Sequence, residues 1–85
     1  MNQGLLSVEV QCFGHLAQIM GPKCIEKLPE GLCIEDFLSH LCHKYPAAEK
    51  ILKVAKVAVN EEIKEGDYIL KAVDKLCVFP PFSGG

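Results

Sequence analysis

The stretch Ile34-Glu-Asp-Phe-Leu-Ser-His-Leu-Cys-His-Lys-Tyr45 carries the clearest periodic pattern in the sequence. At 100° per residue its apolar side chains fall on one side of a helix, in a stripe formed by Ile34, Phe37, Leu38, Leu41 and Tyr45. Glu35 and Asp36 suit the positive start of such a helix. Lys44 suits its negative end, and Pro46 marks the stop. The stretch therefore predicts the main helix of the fold, packed on a sheet through its apolar side.

Two strands and a short helix are predicted before the main helix. An alternation of apolar and polar residues predicts the first strand, with its buried side formed by Leu6, Val8, Val10 and Cys12. Residues 15–20 predict one or two helical turns, which Gly21-Pro22 ends. Residues 24–28 then predict a second strand, which stops at the turn-forming cluster Pro29-Glu30-Gly31. We expect the two strands to pair in antiparallel fashion.

Further strands are predicted after the main helix. Residues 47–52 are compatible with another short helix, and residues 53–59 form a β-branched segment that predicts a strand. Asn60-Glu61-Glu62 interrupts that strand as a turn. Residues 75–79 predict the last strand, with Leu76 and Val78 facing one way and Cys77 and Phe79 facing the other. Pro80-Pro81 ends it, because neither proline has an N–H to donate to a ladder.

The order of these elements predicts an α+β domain with a mixed sheet and one main helix packed across it. Since the last strand follows the helix, a right-handed crossover can place it parallel to the first strand. That arrangement is a β-grasp fold, although the strand pattern alone also allows other small α+β folds. We expect a single domain over residues 1–79 and a protruding C-terminal tail over residues 80–85.

Composition narrows the classes of function. A chain of 85 residues holds one domain with one thin core. A net charge of −2 gives no basic surface for nucleic acid or for an anionic membrane. The apolar runs are strand-sized and the start, MNQG, lacks the features of a signal peptide, so we expect a cytoplasmic protein. The five cysteines form no C-x-x-C pair and predict neither a disulfide framework nor a zinc site.

The segment Phe79-Pro-Pro-Phe-Ser-Gly-Gly85 is not required by any core. Proline fixes φ near −65°, so Pro80-Pro81 is expected to project the chain stiffly away from the sheet. Gly84 and Gly85 have no Cβ, which makes the tip thin enough to enter a narrow channel. A thin, reachable carboxylate is what an adenylating enzyme needs in order to join a protein terminus to ATP. The alternative is an unstructured end without chemistry.

The sequence resembles the ubiquitin-like sulfur carriers, the family that includes the small subunits of molybdopterin synthase. The resemblance covers nearly the whole chain, from Val8-Glu-Val-Gln-Cys-Phe13 through Val59-Asn60 to the Phe-Pro-Pro-Phe-Ser-Gly-Gly ending. It implies that an E1-like adenylyltransferase activates the Gly85 carboxylate with ATP and converts it to a thiocarboxylate. Sulfur then passes, inside the large subunit of a heterotetramer, to cyclic pyranopterin monophosphate during molybdenum cofactor biosynthesis.

The same resemblance implies roles for individual residues. Gly85 would carry the sulfur beside its slim neighbour Gly84, and a docking neck would contact the partners through Phe79, Pro80, Pro81, Phe82 and Ser83. This chain would bind no metal or cofactor, and the catalytic residues would belong to the large subunit. Two departures from the family, at Cys33 and at Ala72-Val73-Asp74, leave open a related carrier in another pathway.

Other interpretations stay open on the residues alone. The chain is compatible with a sulfur carrier for the thiamine thiazole, with a protein modifier conjugated through Gly85, or with a plain interaction module. Cys77, beside the neck, is the candidate if a cysteine carries the sulfur. His40 and His43 have a spacing that can bind metal, but a solvated helix face is the better interpretation.

Overall fold

The computed structural model describes residues 4–80 of the chain. Its elements follow in the order β1 Leu5–Cys12, α1 Gly14–Met20, β2 Lys23–Pro29, α2 Ile34–Lys44, a 3₁₀ turn Pro46–Ala48, α3 Glu49–Leu52, β3 Lys56–Val59, β4 Glu62–Ile63 and β5 Lys75–Phe79. In this part of the chain, every helix is too short or too polar to cross a membrane.

The five strands form one mixed sheet in the order β2-β1-β5-β3-β4. β1 and β2 pair in antiparallel fashion from Leu5 opposite Pro29 to Gln11 opposite Lys23, with α1 in the connection between them. β5 lies parallel to β1 on one side and antiparallel to β3 on the other. The predicted α+β fold, its antiparallel opening pair and its parallel last strand are thereby confirmed, and the arrangement is a β-grasp.

The main helix packs across one face of this sheet. Phe37 and Leu41 on α2 are fully buried, and they share one apolar core with Val8 and Val10 of β1 and Val78 of β5. Burial of side chains of this size contributes about 1.5–3 kcal/mol each. The observed helix bounds agree with the predicted apolar stripe.

The start of β3 corrects one prediction. The segment Lys53–Val59 was expected to be extended throughout, but β3 begins at Lys56. Instead, the backbone amides that follow α3 complete its last turn: Lys53 N–H donates to Glu49 O at 3.0 Å and Val54 N–H to Ile51 O at 3.2 Å. Lys53 and Val54 therefore belong to the end of α3, although the β-branched pattern predicted that they are part of the strand.

A buried carboxylate on β2 is paired with side chains from α2. Glu26 is only 2% exposed, and both of its carboxylate oxygens accept hydrogen bonds from Nζ of Lys44, at 3.1 and 3.0 Å. Nε2 of His40 lies 3.2 Å from Oε1 of the same carboxylate. The side chain of His40 is still 38% exposed and His43 is exposed, so the predicted solvated helix face holds, but His40 also contacts the buried carboxylate. Lys44 and His40 reach from α2 over the edge strand and satisfy the buried charge.

A second buried carboxylate holds the loop that leads into β5. Asp74 accepts hydrogen bonds from Asn60 Nδ2 at 2.9 Å, from the Tyr68 hydroxyl at 3.0 Å and from the backbone N–H of Lys71 at 2.9 Å. Asn60 in turn accepts from the N–H of Lys75, the first residue of β5, at 3.0 Å. This network joins the β3–β4 turn to the start of the last strand. It fixes the chain at the point where β5 begins.

Candidate functional site at the end of the last strand

The end of β5 is held on both sides by neighbouring strands. Val78 lies opposite Cys12 of β1 and Val57 of β3, and Phe79 lies opposite Lys56, the first residue of β3. β5 is thus a central strand up to Val78, and its last residue, Phe79, pairs with β3 alone. The chain leaves the sheet after Phe79, beside the junction where β1 turns into α1.

Phe79 forms an aromatic pair at this junction. Its ring is stacked on that of Phe13, with centroids 5.0 Å apart and an angle of 4° between the ring planes. Phe79 is half-buried, while Phe13 is 41% exposed. Such pairs contribute about 0.5–1.5 kcal/mol beyond their buried area. The side chain of Phe79 therefore lies on the sheet face away from the core, as the alternation in residues 75–79 predicted.

Gly14 brings the backbone of the same junction against Pro80. Gly14 has φ of +61°, a conformation that residues with a Cβ rarely adopt. A Cβ built on Gly14 would lie 3.4 Å from Cγ of Pro80. The first proline after β5 therefore lies beside the first residue of α1, with space for about one methyl group between them. Neither Phe13 nor Gly14 was singled out by the sequence pattern, because their neighbour at residues 79–80 is more than sixty positions away.

The predicted site residues divide into two groups. Phe79 and Pro80 are described, and both are half-buried at the end of the sheet. Pro81, Phe82, Ser83, Gly84 and Gly85 lie outside the described residues. The chemical role of the terminal glycines and the docking role of the neck stay predictions.

The thiols near the site are not set up for nucleophilic chemistry. Burial raises the pKa of the Cys77 thiol, and the carboxylates of Glu61 and Glu9 raise it further. Its Sγ lies 3.5 Å from Oε1 of Gln11, an acceptor that favours the protonated form. Burial, with smaller contributions from Cys24, Cys77 and Glu26, raises the pKa of Cys12 to about 11. Both thiols are protonated at neutral pH, which disfavours a cysteine as the sulfur-bearing group.

This protonation predicts slow alkylation of Cys12. At pH 8 we expect iodoacetamide to label Cys12 in the folded chain more than about a hundredfold more slowly than in the urea-unfolded chain, because burial and the raised pKa both suppress the accessible thiolate. Peptide mass mapping over time measures the rates. Equal rates in the folded and unfolded chains would show that Cys12 is not buried and that its pKa is not raised.

The two histidines of α2, whose spacing can bind metal, make other contacts in the described structure. His40 is directed to Glu26, and the backbone carbonyl of Ser39 accepts a hydrogen bond from Nδ1 of His43 at 3.0 Å. Among residues 4–80, no group of three or more His, Cys, Asp or Glu side chains is placed to hold a metal ion.

The sequence of this chain is similar to those of known proteins over most of its length. The model of the family described as ThiS matches residues 10–85. The molybdopterin synthase sulfur carrier subunit of Caenorhabditis elegans is 34% identical over 85 residues, which cover 95% of this chain and 100% of that protein.

Solved structures have the same fold. SAMP1, a small archaeal modifier protein from Haloferax volcanii, superposes with a TM-score of 0.76 at 27% identity, over 93% of this chain and 99% of that one. A chain in the complex of subunits 1 and 2 of molybdopterin-converting factor from Helicobacter pylori superposes with a TM-score of 0.63 at 22% identity, over 94% of this chain and all of that one. The latter likeness concerns the fold alone.

Proposed function

The chain belongs to the ThiS family, and from that membership we propose that it is a sulfur carrier, the small subunit of molybdopterin synthase. The observation that carries this proposal is the near full-length similarity to the Caenorhabditis elegans sulfur carrier subunit. The ending Phe79-Pro-Pro-Phe-Ser-Gly-Gly85 supports it, because a slim tip behind a stiff neck suits entry into a partner's active site.

The proposed chemistry takes place on the carboxylate of Gly85. In an E1-like adenylyltransferase, a carboxylate oxygen attacks the α-phosphorus of ATP and releases pyrophosphate. A sulfide equivalent then attacks the carbonyl carbon of the acyl-adenylate and expels AMP, which leaves a thiocarboxylate on Gly85. Activation divides one difficult substitution at a carboxylate into two easier steps. ATP is bound by the activating partner, and this chain supplies the group that is modified.

The loaded tail is proposed to act inside a second partner. It enters the large subunit of the synthase, where the sulfur is delivered to cyclic pyranopterin monophosphate. The catalytic residues of that step belong to the large subunit, so the chain is a sulfur donor and not an enzyme by itself. We place this chemistry in the cytoplasm.

The decisive test is the mass of the intact chain. We expect incubation with the E1-like adenylyltransferase of the same organism, ATP and sulfide to raise that mass by the difference between a sulfur and an oxygen atom. A parallel reaction without ATP should leave the mass unchanged. Adding the large subunit and the pyranopterin precursor should return the chain to its original mass while molybdopterin forms. If the unmodified chain is the sole species with ATP present, the carrier function is wrong.

A protein modifier is the second candidate, and the similarity to SAMP1 favours it. A modifier would form an isopeptide bond between Gly85 and a lysine of another protein, using the same acyl-adenylate. Tryptic digestion of cellular proteins from a strain that expresses a tagged chain distinguishes the two. Lysines that carry the chain's C-terminal remnant favour the modifier, and a thiocarboxylate without such remnants favours the carrier.

A further inference from the structure

The junction between β1 and α1 touches the chain where the tail begins. We propose that Phe13 and Gly14 are positioning residues, which set the direction of the tail and act on the adenylation of Gly85 through Phe79 and Pro80. This inference rests on the proposed function, because it assumes that the carboxylate of Gly85 is the reacting group.

The first step of the argument concerns what holds the root of the tail. The ladder hydrogen bonds of β5 end with Phe79, and Pro80 has no N–H with which to extend them. At this point the ring of Phe79 is stacked on that of Phe13, and Pro80 lies beside Gly14. Where the backbone hydrogen bonds of β5 end, the packing of Phe79 against Phe13, beside Gly14, therefore holds the root of the tail.

The second step is that the junction is itself firmly held. The backbone N–H of Cys12 donates to the carbonyl of Pro22 at 3.0 Å, which ties the end of β1 to the segment after α1. Leu16, two residues beyond Gly14, is fully buried in the core and anchors α1. Phe13 and Gly14 lie between these two fixed points. They form a support that does not depend on any partner.

Gly14 adds a constraint of shape. With φ of +61°, any residue with a Cβ is strained at this position, and its Cβ would also contact Pro80. Glycine allows α1 to start directly against the proline. The constraint on this position is therefore mainly the positive φ, because a Cβ there would make only an ordinary contact with Pro80.

Direction at the root matters because the reacting atom is far from it. Five residues separate Pro80 from the carboxylate of Gly85, a reach of at most about 17 Å. A rotation of about 15° at the root would move an extended tip by about 4 Å. Misplacement of a reacting group by about 1 Å can already lower a rate by about a hundredfold. A fixed root therefore reduces the range of positions that the carboxylate of Gly85 can occupy in the adenylating site.

Because Phe13 is partly exposed, the alternative to a positioning role is that its ring contacts a partner directly. The two roles differ in kinetics, because a contact made equally before and during reaction changes KM, whereas orientation of the reacting group changes kcat. Adenylation is reversible, so ATP–pyrophosphate exchange in the E1-like adenylyltransferase measures both constants for the full-length chain.

The expected results are as follows. Phe13→Ala lowers kcat about tenfold and changes KM by less than about twofold, and Phe13→Tyr, which keeps the stacked ring, restores kcat. Because Phe13 acts through Phe79, the double variant Phe13→Ala/Phe79→Ala has a kcat no lower than that of Phe79→Ala. Urea unfolding monitors the fold of each variant, and Phe13→Leu replaces Phe13→Ala if the latter does not fold.

Each contrary result overturns the inference. A rise in KM with unchanged kcat assigns Phe13 to partner contact, and losses in kcat that multiply in the double variant mean that Phe13 does not act through Phe79. If kcat and KM are both unchanged while the wild-type chain supports exchange, the positioning role alone is wrong. If the wild-type chain supports no exchange, the proposed function fails first, and the inference fails with it.

Discussion

Deletion of Gly85 is expected to abolish thiocarboxylate formation and to leave the free energy of unfolding within about 0.5 kcal/mol of the wild-type value. The shortened chain still ends in a glycine carboxylate, but that carboxylate is withdrawn by one residue, or about 3.5 Å. Because an adenylating site must hold the carboxylate in line with the α-phosphorus of ATP, such a shift prevents attack. Intact mass after incubation with the activating enzyme, ATP and sulfide measures the modification, and urea unfolding measures the stability.

Gly66→Ala is a matched control for the loss of a glycine. A Cβ on Gly66 would lie 3.5 Å from Cβ of Glu35, an ordinary van der Waals contact, and this site is on the loop before β5. The control should be modified as fully as the wild-type chain. If the chain without Gly85 still gains sulfur, the reacting carboxylate is not that of Gly85, and the assignment of the site is wrong.

Lys44→Met is expected to lower the free energy of unfolding by about 2 kcal/mol, the largest stability effect that we predict for a surface position. The substitution leaves the carboxylate of Glu26, which is 2% exposed, with His40 as its remaining basic neighbour. A buried charge that loses its partner costs more than the ion pair contributes, because the carboxylate cannot recover its hydration. We place the cost below the usual range for buried pairs because the side chain of Lys44 is 48% exposed. Urea unfolding at neutral pH measures it.

Two further variants separate the buried charge from other effects of the substitution. Lys50→Met removes an exposed lysine from α3 and is expected to change stability by less than about 0.5 kcal/mol. The double variant Glu26→Leu/Lys44→Met removes both charges, and it should recover most of the stability lost in Lys44→Met. If the double variant is the less stable of the two, the loss does not arise from an unpaired carboxylate.

Elements specified by nearby residues could be predicted from the sequence. The apolar stripe of α2, the alternation in β5 and the prolines that follow it each act within a few positions, and the observed bounds Ile34–Lys44 and Lys75–Phe79 agree with the predictions. The parallel placement of β5 beside β1 followed from connection rules. The β-grasp fold could therefore be predicted from the order of the elements, without knowing which residues contact one another.

What could not be predicted depends on residues far apart in the chain. Glu26 and Lys44 are eighteen positions apart, and an alternating pattern does not say that a glutamate on the inner face of an edge strand will meet a lysine from α2. The sequence distinguishes Asp74 only as part of a departure from the family, but its side chain accepts hydrogen bonds from Asn60 and Tyr68. Polar residues of this kind are placed by tertiary structure, which periodicity does not report.

The candidate site shows the same division. The tip could be predicted as a candidate site because the strand, the two prolines and the two glycines follow one another within residues 75–85. The support beneath them was not, because Phe13 meets Phe79 only when the first and last strands pair. A candidate functional terminus can therefore be predicted from the sequence, whereas the residues that we propose to position it can be found only from the structure.

The central location of β5 also determines how the domain bears a mechanical load. A partner that grips the tail pulls along β5, which is bonded to β1 on one side and to β3 on the other, with four register pairs on each side. Traction in that direction shears both ladders at once, so the load is shared by many hydrogen bonds and they cannot open one after another. In the proposed role as a sulfur carrier, this arrangement would let partners pull on the terminus in succession while the domain stays folded.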